Sequence, residues 1–256
     1  MEKSLAGEDL TRFSSLVFDD YRVLAKDRSL SVHEKVGFPN SYREGKGELI
    51  LTDIVRKADN LQKEKQTVLE IGPGCGELAT LMVEHCRRQK HRLIMVDSEE
   101  MLEHHPDEAF ITKVPGRFPV ETPSLFEDHA GGVDAVICYG VLQVVFQEGN
   151  WIDFFDRALE LLADGGQLLI GDLPNVSKRK RFFASPAGVR FHQEFMQTDQ
   201  VPNIDFSVPE PGQMDDALFL ALVMRARAAG YDGYWLPQAA DLPMANRRED
   251  LLVHKP

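Results

Sequence analysis

The sequence predicts an α/β protein built around a largely parallel β-sheet. Short apolar runs that end in glycine or aspartate recur along the chain, as in TVLEIG, RLIMVD, VDAVICY and QLLIGD. Segments with apolar residues at helical spacing lie between these runs. Buried parallel strands form continuous apolar runs, and the connection between two of them is usually a helix. The alternation therefore predicts right-handed strand–helix–strand units within one sheet.

The first part of the chain is predicted to be an N-terminal helical cap, residues 1–66. Residues 48–58 (ELILTDIVRKA) place their apolar side chains on one helical face, and a polar linker follows at 59–66. We expect the main domain to span residues 67–256.

The strands and helices of this domain are predicted from apolar runs and their stop signals. Asp164-Gly165-Gly166 is predicted to end a helix and turn into the fifth strand. The predicted strands lie at 67–72, 92–97, 110–113, 133–139 and 167–172, and the helices at 76–88, 99–105 and 150–163.

Beyond Leu173 the regular alternation stops. Residues 174–213 mix proline, charge and aromatic residues, and this length predicts a lid-like insertion over a substrate. A helix at 215–229 and strands at 231–236 and 249–254 then close the domain, with the last two as an antiparallel pair at the sheet edge.

Composition and charge exclude several classes of function. The formal net charge of -12 repels polyanions, so the chain is not expected to bind nucleic acid. No apolar run approaches the length of a membrane span, and the N-terminus lacks the layout of a secretory signal, so we expect a cytoplasmic protein. The cysteine spacing matches no metal motif; Cys86 and Cys138 are expected to be buried apolar residues.

A glycine loop, VLEIGPGCGEL, follows the first strand and precedes a helix. Glycines at this point allow positive φ and let the backbone approach a ligand, and the helix N-terminus favours an anionic group. The spacing is G-x-G-x-G, whereas a dinucleotide fingerprint needs glycine at the position of Glu77. No G-K-[ST] follows, which excludes a nucleotide-triphosphate loop of the Walker type.

Asp97 ends the second predicted strand, about twenty residues beyond the loop. Ligands of open α/β sheets bind over the carboxyl ends of the strands, where an acid can accept hydrogen bonds from both ribose hydroxyls. The alternative is that Asp97 caps the helix that starts near Ser98. Together with the glycine loop, the ligand interpretation is favoured.

Four segments in this order, EIGPGCG, the strand ending in Asp97, CYGVLQVV and LADGGQLLIGD, resemble class I methyltransferases that use S-adenosylmethionine. The resemblance covers residues 67–172. It implies a Rossmann-like three-layer sandwich with a mostly parallel, seven-stranded sheet and a closing antiparallel edge strand. It also implies S-adenosylmethionine as the cofactor.

The resemblance further implies the residues that contact this cofactor. The acid before the glycines and the loop backbone match the methionine site, and Asp97 matches the ribose-binding acid. Gln143 stands where many members have histidine, and Gly116-Arg117-Phe118 replaces a frequent acid, so that Phe118 is expected to stack on adenine. The expected cofactor-binding residues are Glu70, Gly72, Gly74, Cys75, Gly76, Asp97, Ser98, Met101, Phe118, Tyr139, Gly140 and Leu142.

Methyl transfer to an alcohol or ammonium group requires a base as well as positioning. Asp172 at the end of the fifth strand, His192 in the insertion and Tyr42 in the cap are the candidates, and no metal is expected. Lys178-Arg179-Lys180-Arg181 is interpreted as a solvated face, with a phosphate-binding role and a targeting or RNA role as alternatives.

The sequence therefore predicts an enzyme that methylates an oxygen or nitrogen atom of a small molecule, such as a sugar or specialised metabolite. The alternatives are a non-catalytic protein that binds S-adenosylmethionine or serves as a scaffold, and a dinucleotide-dependent oxidoreductase. The expected partner is a small-molecule methyl acceptor. A homodimer is compatible with the sequence, which contains no indication of oligomeric state.

Overall fold

A computed structural model describes residue 13 and residues 16–256 of the chain. The helices are α1 (Phe18–Lys26), α2 (Val32–Lys35), α3 (Asn40–Arg43), α4 (Gly47–Lys57), α5 (Glu77–Gln89), α6 (Glu99–Leu102), α7 (Pro123–His129), α8 (Leu142–Glu148), α9 (Trp151–Glu160), α10 (Val176–Phe183), α11 (Pro186–Met196) and α12 (Asp216–Ala228). The strands are β1 (Thr67–Ile71), β2 (Arg92–Asp97), β3 (Ile111–Pro115), β4 (Val133–Tyr139), β5 (Leu162–Pro174), β6 (Asp232–Pro237) and β7 (Arg248–His254).

The strands form one seven-stranded sheet in the order β3-β2-β1-β4-β5-β7-β6. β1 to β5 are parallel, and β7 is antiparallel to both of its neighbours, β5 and β6. The predicted mostly parallel, Rossmann-like sheet with an antiparallel strand near its edge is confirmed. The chain runs outward from β1 to β3 and then returns to β4 beside β1, which opens a cleft at the carboxyl ends of these strands.

Helices cover both faces of the sheet and make the three layers. On one face, Phe154 and Phe155 of α9 and Phe219 of α12 pack into the core against the strands. On the other face, Ile54 of α4 and Met82 of α5 do so. These side chains are almost fully removed from water, which stabilises the fold by about 1.5–3 kcal/mol for each large apolar side chain.

Some predicted boundaries differ from those in the structure. β5 begins at Leu162 and not at Gln167, because Leu162 already pairs with Val133 across an irregular register. The Asp164-Gly165-Gly166 turn therefore lies within β5, and α9 ends at Glu160. Each difference concerns where pairing with a neighbouring strand starts, which local residue patterns do not encode.

The predicted cap, residues 1–66, contains α1 to α4 and a short 3-10 helix, Asp59–Gln62. Its first twelve residues and residues 14–15 lie outside the described part. α4 packs its buried face on the sheet core, whereas α1 to α3 lie over the carboxyl ends of the strands. The division at residue 66 stays a prediction.

The predicted insertion, residues 174–213, contains α10 and α11. Four phenylalanine rings of these helices contact one another, with neighbouring centroids 5.1–6.2 Å apart. These rings are Phe182, Phe183, Phe191 and Phe195. Throughout residues 16–256, no helix combines the length and the apolar character that crossing a bilayer requires.

Candidate functional site

A cavity of about 310 Å³, called the main cavity below, lies over the carboxyl ends of β1, β2 and β4. This volume lies at the lower end of the range typical of ligand sites. Its wall combines the glycine loop, the ends of β2 to β4 and the helices α1 to α3.

The glycine loop owes its shape to two residues with positive φ. Gly72 has φ +68° and Gly74 has φ +63°, a region that side chains with a Cβ seldom adopt. A Cβ added at Gly72 would lie 2.5 Å from Val141 Cγ2, and one at Gly74 would lie 2.6 Å from Val36 Cγ1. Both glycines are therefore needed for close packing of the loop against its neighbours.

Gly76 differs from the two preceding glycines. Its φ is negative, and an added Cβ would be 3.4 Å from the nearest atom, an ordinary contact. The next residue, Glu77, lines the main cavity and accepts a hydrogen bond from Gly47 N at 3.3 Å. A carboxylate at this position disfavours the pyrophosphate of a dinucleotide, in agreement with the sequence argument.

Asp97 joins the end of β2 to the glycine loop. Its Oδ2 accepts a hydrogen bond from Gly74 N at 2.9 Å, and its Oδ1 accepts one from Ser98 N at 2.7 Å. Burial raises the pKa of this carboxyl to about 6, although both backbone hydrogen bonds act to lower it. Ser98 is the N-cap of α6, since its Oγ accepts a hydrogen bond from Met101 N. Asp97 is thus free of the capping role and faces the cavity.

Glu70 lies on β1 just before the loop and is buried. Its Oε2 has no hydrogen-bond partner, and burial raises the pKa of the carboxyl to about 8, with Asp97 as a second cause. A buried carboxyl oxygen without a partner is costly, so its persistence points to a ligand or a functional state. Glu70 does not itself form part of the cavity wall.

The other residues expected to bind the cofactor divide into two groups. Met101, Phe118, Tyr139 and Gly140 line the main cavity, together with the three loop glycines and Asp97. Cys75, Ser98 and Leu142 are buried behind that wall. The cofactor-binding roles expected of both groups stay predictions.

Another part of the cavity wall comes from the N-terminal helices, at positions that the sequence did not predict. Tyr21, His33, Phe38 and Arg43 all line the main cavity. Burial raises the pKa of Tyr21 to about 12 and that of Tyr139 well above its ordinary range, so both phenols stay protonated at neutral pH. His33 is buried, and its ring has no hydrogen-bond partner among residues 16–256. No motif marks these positions, because they meet the site only through the fold.

Asp172 lies at the end of β5 in a buried ion-pair cluster. Its Oδ2 accepts a hydrogen bond from Arg43 and forms an ion pair with Arg248 at 2.9 Å, and its N–H donates to Asp250 Oδ1 at 2.8 Å. A Cβ added at Gly140 would lie 3.7 Å from Asp172 Oδ2, so the carboxylate is next to the cavity wall. With two guanidinium partners, Asp172 is placed to orient Arg43 rather than to accept a proton from a substrate.

The other two predicted bases lie away from the main cavity. His192 on α11 lines a separate cavity of about 490 Å³ together with Arg179, Lys180 and Phe183. Tyr42 acts electrostatically on Arg247 and is outside the wall of the main cavity. The catalytic roles of these residues stay predictions, and the geometry gives them no contact with the site.

The chain matches a family model described as a methyltransferase domain over residues 42–207. A sequence comparison with curated proteins finds no match. The fold resembles the plantazolicin methyltransferase BpumL solved with S-adenosylhomocysteine, with a TM-score of 0.56, 12% identity, and coverage of 96% of this chain and 97% of that chain.

Two further solved structures show the same fold. One is the N-methyltransferase NodS from Bradyrhizobium japonicum WM9 in complex with S-adenosylhomocysteine, with a TM-score of 0.56, 12% identity, and coverage of 93% of this chain and 98% of that chain. The other is the CurJ carbon methyltransferase, with a TM-score of 0.55, 14% identity, and coverage of 96% of this chain and 69% of that chain.

Proposed function

The chain belongs to the methyltransferase-domain family, and on this premise we propose that it transfers a methyl group from S-adenosylmethionine to an oxygen or nitrogen atom of a small molecule. The observation that carries the proposal is a single cavity that joins the glycine loop and Asp97 to a wall of tyrosine, histidine, phenylalanine and arginine. Family membership also agrees with the resemblance seen in the sequence.

The residues over β1 and β2 fit S-adenosylmethionine. The two positive-φ glycines form a cradle that a Cβ would fill, and the unpartnered Glu70 carboxyl lies just behind them. Asp97 is half-buried, and its carboxylate accepts hydrogen bonds from two backbone N–H groups, which leaves lone pairs for the ribose hydroxyls. When bound, the cofactor supplies a methyl group on a positively charged sulfur that needs no further activation. The solved neighbours BpumL and NodS hold S-adenosylhomocysteine, which supports this choice.

The helices α1 to α3 are proposed to form the acceptor wall. Their side chains line the cavity over the carboxyl ends of the strands. Holding two reactants in line can supply much of the rate enhancement of a displacement reaction. Phe38 is itself held in place by the guanidinium of Arg43, 4.1 Å from its ring centre. The wall is therefore rigid on the side where the acceptor would lie.

His33 is proposed as the group that takes the proton from the acceptor. Imidazole is the side chain that most often acts as a general base, and this ring lies in the cavity wall without a competing partner among the described residues. The neighbouring phenols of Tyr21 and Tyr139 remain protonated and can only orient an acceptor. Asp172 is already engaged by two arginines.

The acceptor type is proposed from the cavity wall and the net charge of this chain, because the structurally similar methyltransferases differ in the acceptors that their names describe. Their names describe a plantazolicin methyltransferase, an N-methyltransferase and a carbon methyltransferase. An oxygen or nitrogen acceptor is favoured because the wall offers a proton acceptor. The acidic net charge favours a small molecule over nucleic acid. A cytoplasmic location and a homodimer stay predictions from the sequence.

The test is a transfer assay with isotope-labelled S-adenosylmethionine. Purified protein is incubated with pooled small molecules that carry hydroxyl or amino groups, and mass spectrometry identifies the labelled product and atom. We expect label on an oxygen or nitrogen atom of at least one compound. Label on carbon would contradict the acceptor type, and binding of the cofactor without any transfer would favour the non-catalytic alternative.

Two variants separate the halves of the site. Gly72→Ala is expected to weaken binding of S-adenosylhomocysteine and to lower label transfer at cofactor concentrations near the dissociation constant, because the loop can no longer pack as closely. His33→Gln is expected to bind S-adenosylhomocysteine like the wild type and to lose transfer at least about tenfold. Equal transfer by His33→Gln and the wild type would remove His33 from the proposed mechanism.

A further inference from the structure

A third cavity, of about 350 Å³, lies between the end of β5, helix α10 and the segment before β7. We call it the outer cavity. It shares Arg179 and Phe183 with the cavity that contains His192 and shares no residue with the main cavity. Its lining residues are Pro174, Asn175, Val176, Arg179, Phe183, Gln213, Met214, Met244, Arg247 and Arg248.

The outer cavity carries three guanidinium groups and, among the described lining residues, no carboxylate. Two of the three have partners outside the wall. Arg179 pairs with Glu210 at 2.5 Å, and Arg248 pairs with Asp172 at 2.9 Å while also donating to the Asp172 carbonyl at 2.6 Å. The positive charge of these two groups is therefore compensated within the protein.

Arg247 is the exception. Its guanidinium has no hydrogen bond or ion pair with any residue in the described part of the chain, although its side chain is partly buried. Burial lowers the pKa of Arg247, Tyr42 acts to raise it, and the nearby charges of Arg248 and Arg179 act to lower it. A partly buried guanidinium without a protein partner has lost part of its hydration, which favours a bound anion.

We infer that the outer cavity binds an oxyanion, that is a phosphate or carboxylate group, with Arg247 as its principal ligand. The planar guanidinium presents parallel N–H donors that match such groups. The side-chain amide of Gln213 is a second donor on the same wall, and Met214 and Met244 offer apolar surface to the carbon part of a ligand.

The basic run at residues 178–181 does not provide this site by itself. Its charges are used inside the protein, since Lys178 contacts Glu249, Arg179 and Lys180 contact Glu210, and Arg181 pairs with Asp216 at 2.5 Å. The basic run is therefore not itself the candidate phosphate site. Arg247, which no sequence motif marks, is the candidate.

The outer and main cavities are linked through one buried ion-pair cluster. Arg248 of the outer cavity and Arg43 of the main cavity both bond to Asp172 Oδ2. An oxyanion at Arg247 would therefore lie next to the cluster that orients the acceptor wall. Binding of an oxyanion at Arg247 does not depend on the proposed function. Only the suggestion that this oxyanion belongs to the methyl acceptor rests on that function.

This inference is tested by titrating the full chain with inorganic phosphate. Calorimetry and phosphorus NMR measure the binding at constant ionic strength. The wild type is expected to bind phosphate with a dissociation constant of about 1 mM or lower. Arg247→Gln, which keeps the polar side chain but removes the charge, is expected to bind at least about tenfold more weakly. Arg190→Gln is the matched control, because Arg190 is exposed on α11 and outside all three cavities.

Equal phosphate affinity of the wild type and Arg247→Gln would overturn the site, and so would the absence of phosphate binding by the wild type. S-adenosylhomocysteine is titrated into the same samples, so that failure of the oxyanion site is distinguished from failure of the proposed function. We expect all three proteins to bind S-adenosylhomocysteine equally in the absence of phosphate.

A second measurement identifies the source of the oxyanion. A free ion that acts on the enzyme would shift the dissociation constant of S-adenosylhomocysteine in the wild type and leave it unchanged in Arg247→Gln. An oxyanion that belongs to the acceptor would leave that constant unchanged. Phosphate would then raise the KM of an acceptor found in the transfer assay, and Arg247→Gln would raise it without phosphate.

Discussion

We divide the main cavity into a proposed cofactor half and a proposed acceptor half, which the chain assembles in different ways. The cofactor half consists of loops that directly follow β1, β2 and β3. The acceptor half brings together α1 to α3 and the end of β4, with the buried cluster of Asp172 behind it. The first half is built from local backbone geometry, and the second from contacts between residues more than a hundred positions apart, such as Arg43 and Asp172.

The same contrast appears in the carboxylates of the two halves. Asp97 accepts hydrogen bonds only from backbone N–H groups, and burial raises its pKa to about 6. Asp172 is bonded by two arginine side chains and adopts φ +61°, which is unusual for a residue with a side chain. Asp97 is thus available to a ligand, whereas Asp172 stabilises the fold of the acceptor wall.

The largest expected effect is on stability, from Asp172→Asn. Asparagine tolerates the left-handed backbone but removes the charge between two buried arginines. Breaking a buried ion pair by removing one partner is strongly destabilising, so the free energy of unfolding should fall by about 3 kcal/mol. Urea denaturation measures this change.

Asp97→Asn is the matched comparison. Because burial holds the pKa of Asp97 above its ordinary value, removing the charge should leave the free energy of unfolding at neutral pH equal to or higher than that of the wild type. The double variant Asp172→Asn with Arg43→Gln should regain part of the lost stability, because one unpaired cation is removed. If Asp172→Asn unfolds at the wild-type urea concentration, the distinction between the two carboxylates is wrong.

The second prediction concerns the glycine loop. Gly72→Ala introduces a Cβ at positive φ and 2.5 Å from Val141, and should weaken S-adenosylhomocysteine binding. Strain of this kind costs about 2 kcal/mol, which corresponds to about thirtyfold in the dissociation constant. Gly76→Ala has room for its Cβ and should bind within about twofold of the wild type. Calorimetry compares the two variants, and equal losses would show that the loop does not depend on close packing.

The third prediction concerns Glu70 and pH. Its pKa in the folded protein is about 8, above the ordinary value of 4.5, so stability falls as pH rises between these values. In Glu70→Gln the side chain does not ionise, so this contribution to the pH dependence of stability is absent. Between about pH 6 and pH 7.5, the unfolding free energy of the variant should therefore gain about 2 kcal/mol relative to the wild type. Urea denaturation at several pH values checks this, and parallel curves would mean that Glu70 is not held protonated.

The smallest expected effect is the pH dependence of ligand binding through Asp97. Its pKa of about 6 means that the carboxylate able to accept from ribose hydroxyls forms as pH rises through that value. From about pH 5 to neutral pH, affinity for S-adenosylhomocysteine should rise about tenfold. Glu70 stays protonated over this range. Asp97→Asn should bind weakly with a flat profile, and a flat wild-type profile would contradict the role of Asp97.

The contrast between the two halves also explains how much the sequence could predict. The glycine loop and Asp97 follow apolar strands directly, so their positions at the sheet edge follow from the alternation alone. The strand order near the antiparallel β7 could be expected only from the family resemblance. The early start of β5 could not be predicted, because it depends on pairing with Val133.

The acceptor half could not be read from local patterns. His33 lies in a four-residue helix, α2, and nothing in its neighbourhood indicates a site. Asp172 was found because it ends a strand, but its two arginine partners come from α3 and β7. His192 and Tyr42 have side chains suited to a base, but the fold places both outside the wall of the main cavity.

The most direct test of the account is calorimetric titration of the wild type with S-adenosylmethionine, S-adenosylhomocysteine and NAD, alongside Asp97→Ala. The account predicts micromolar binding of the first two, its loss in the variant, and no binding of NAD. Binding of NAD without binding of either sulfur compound would contradict it, because the glycine loop and Asp97 would then serve a dinucleotide.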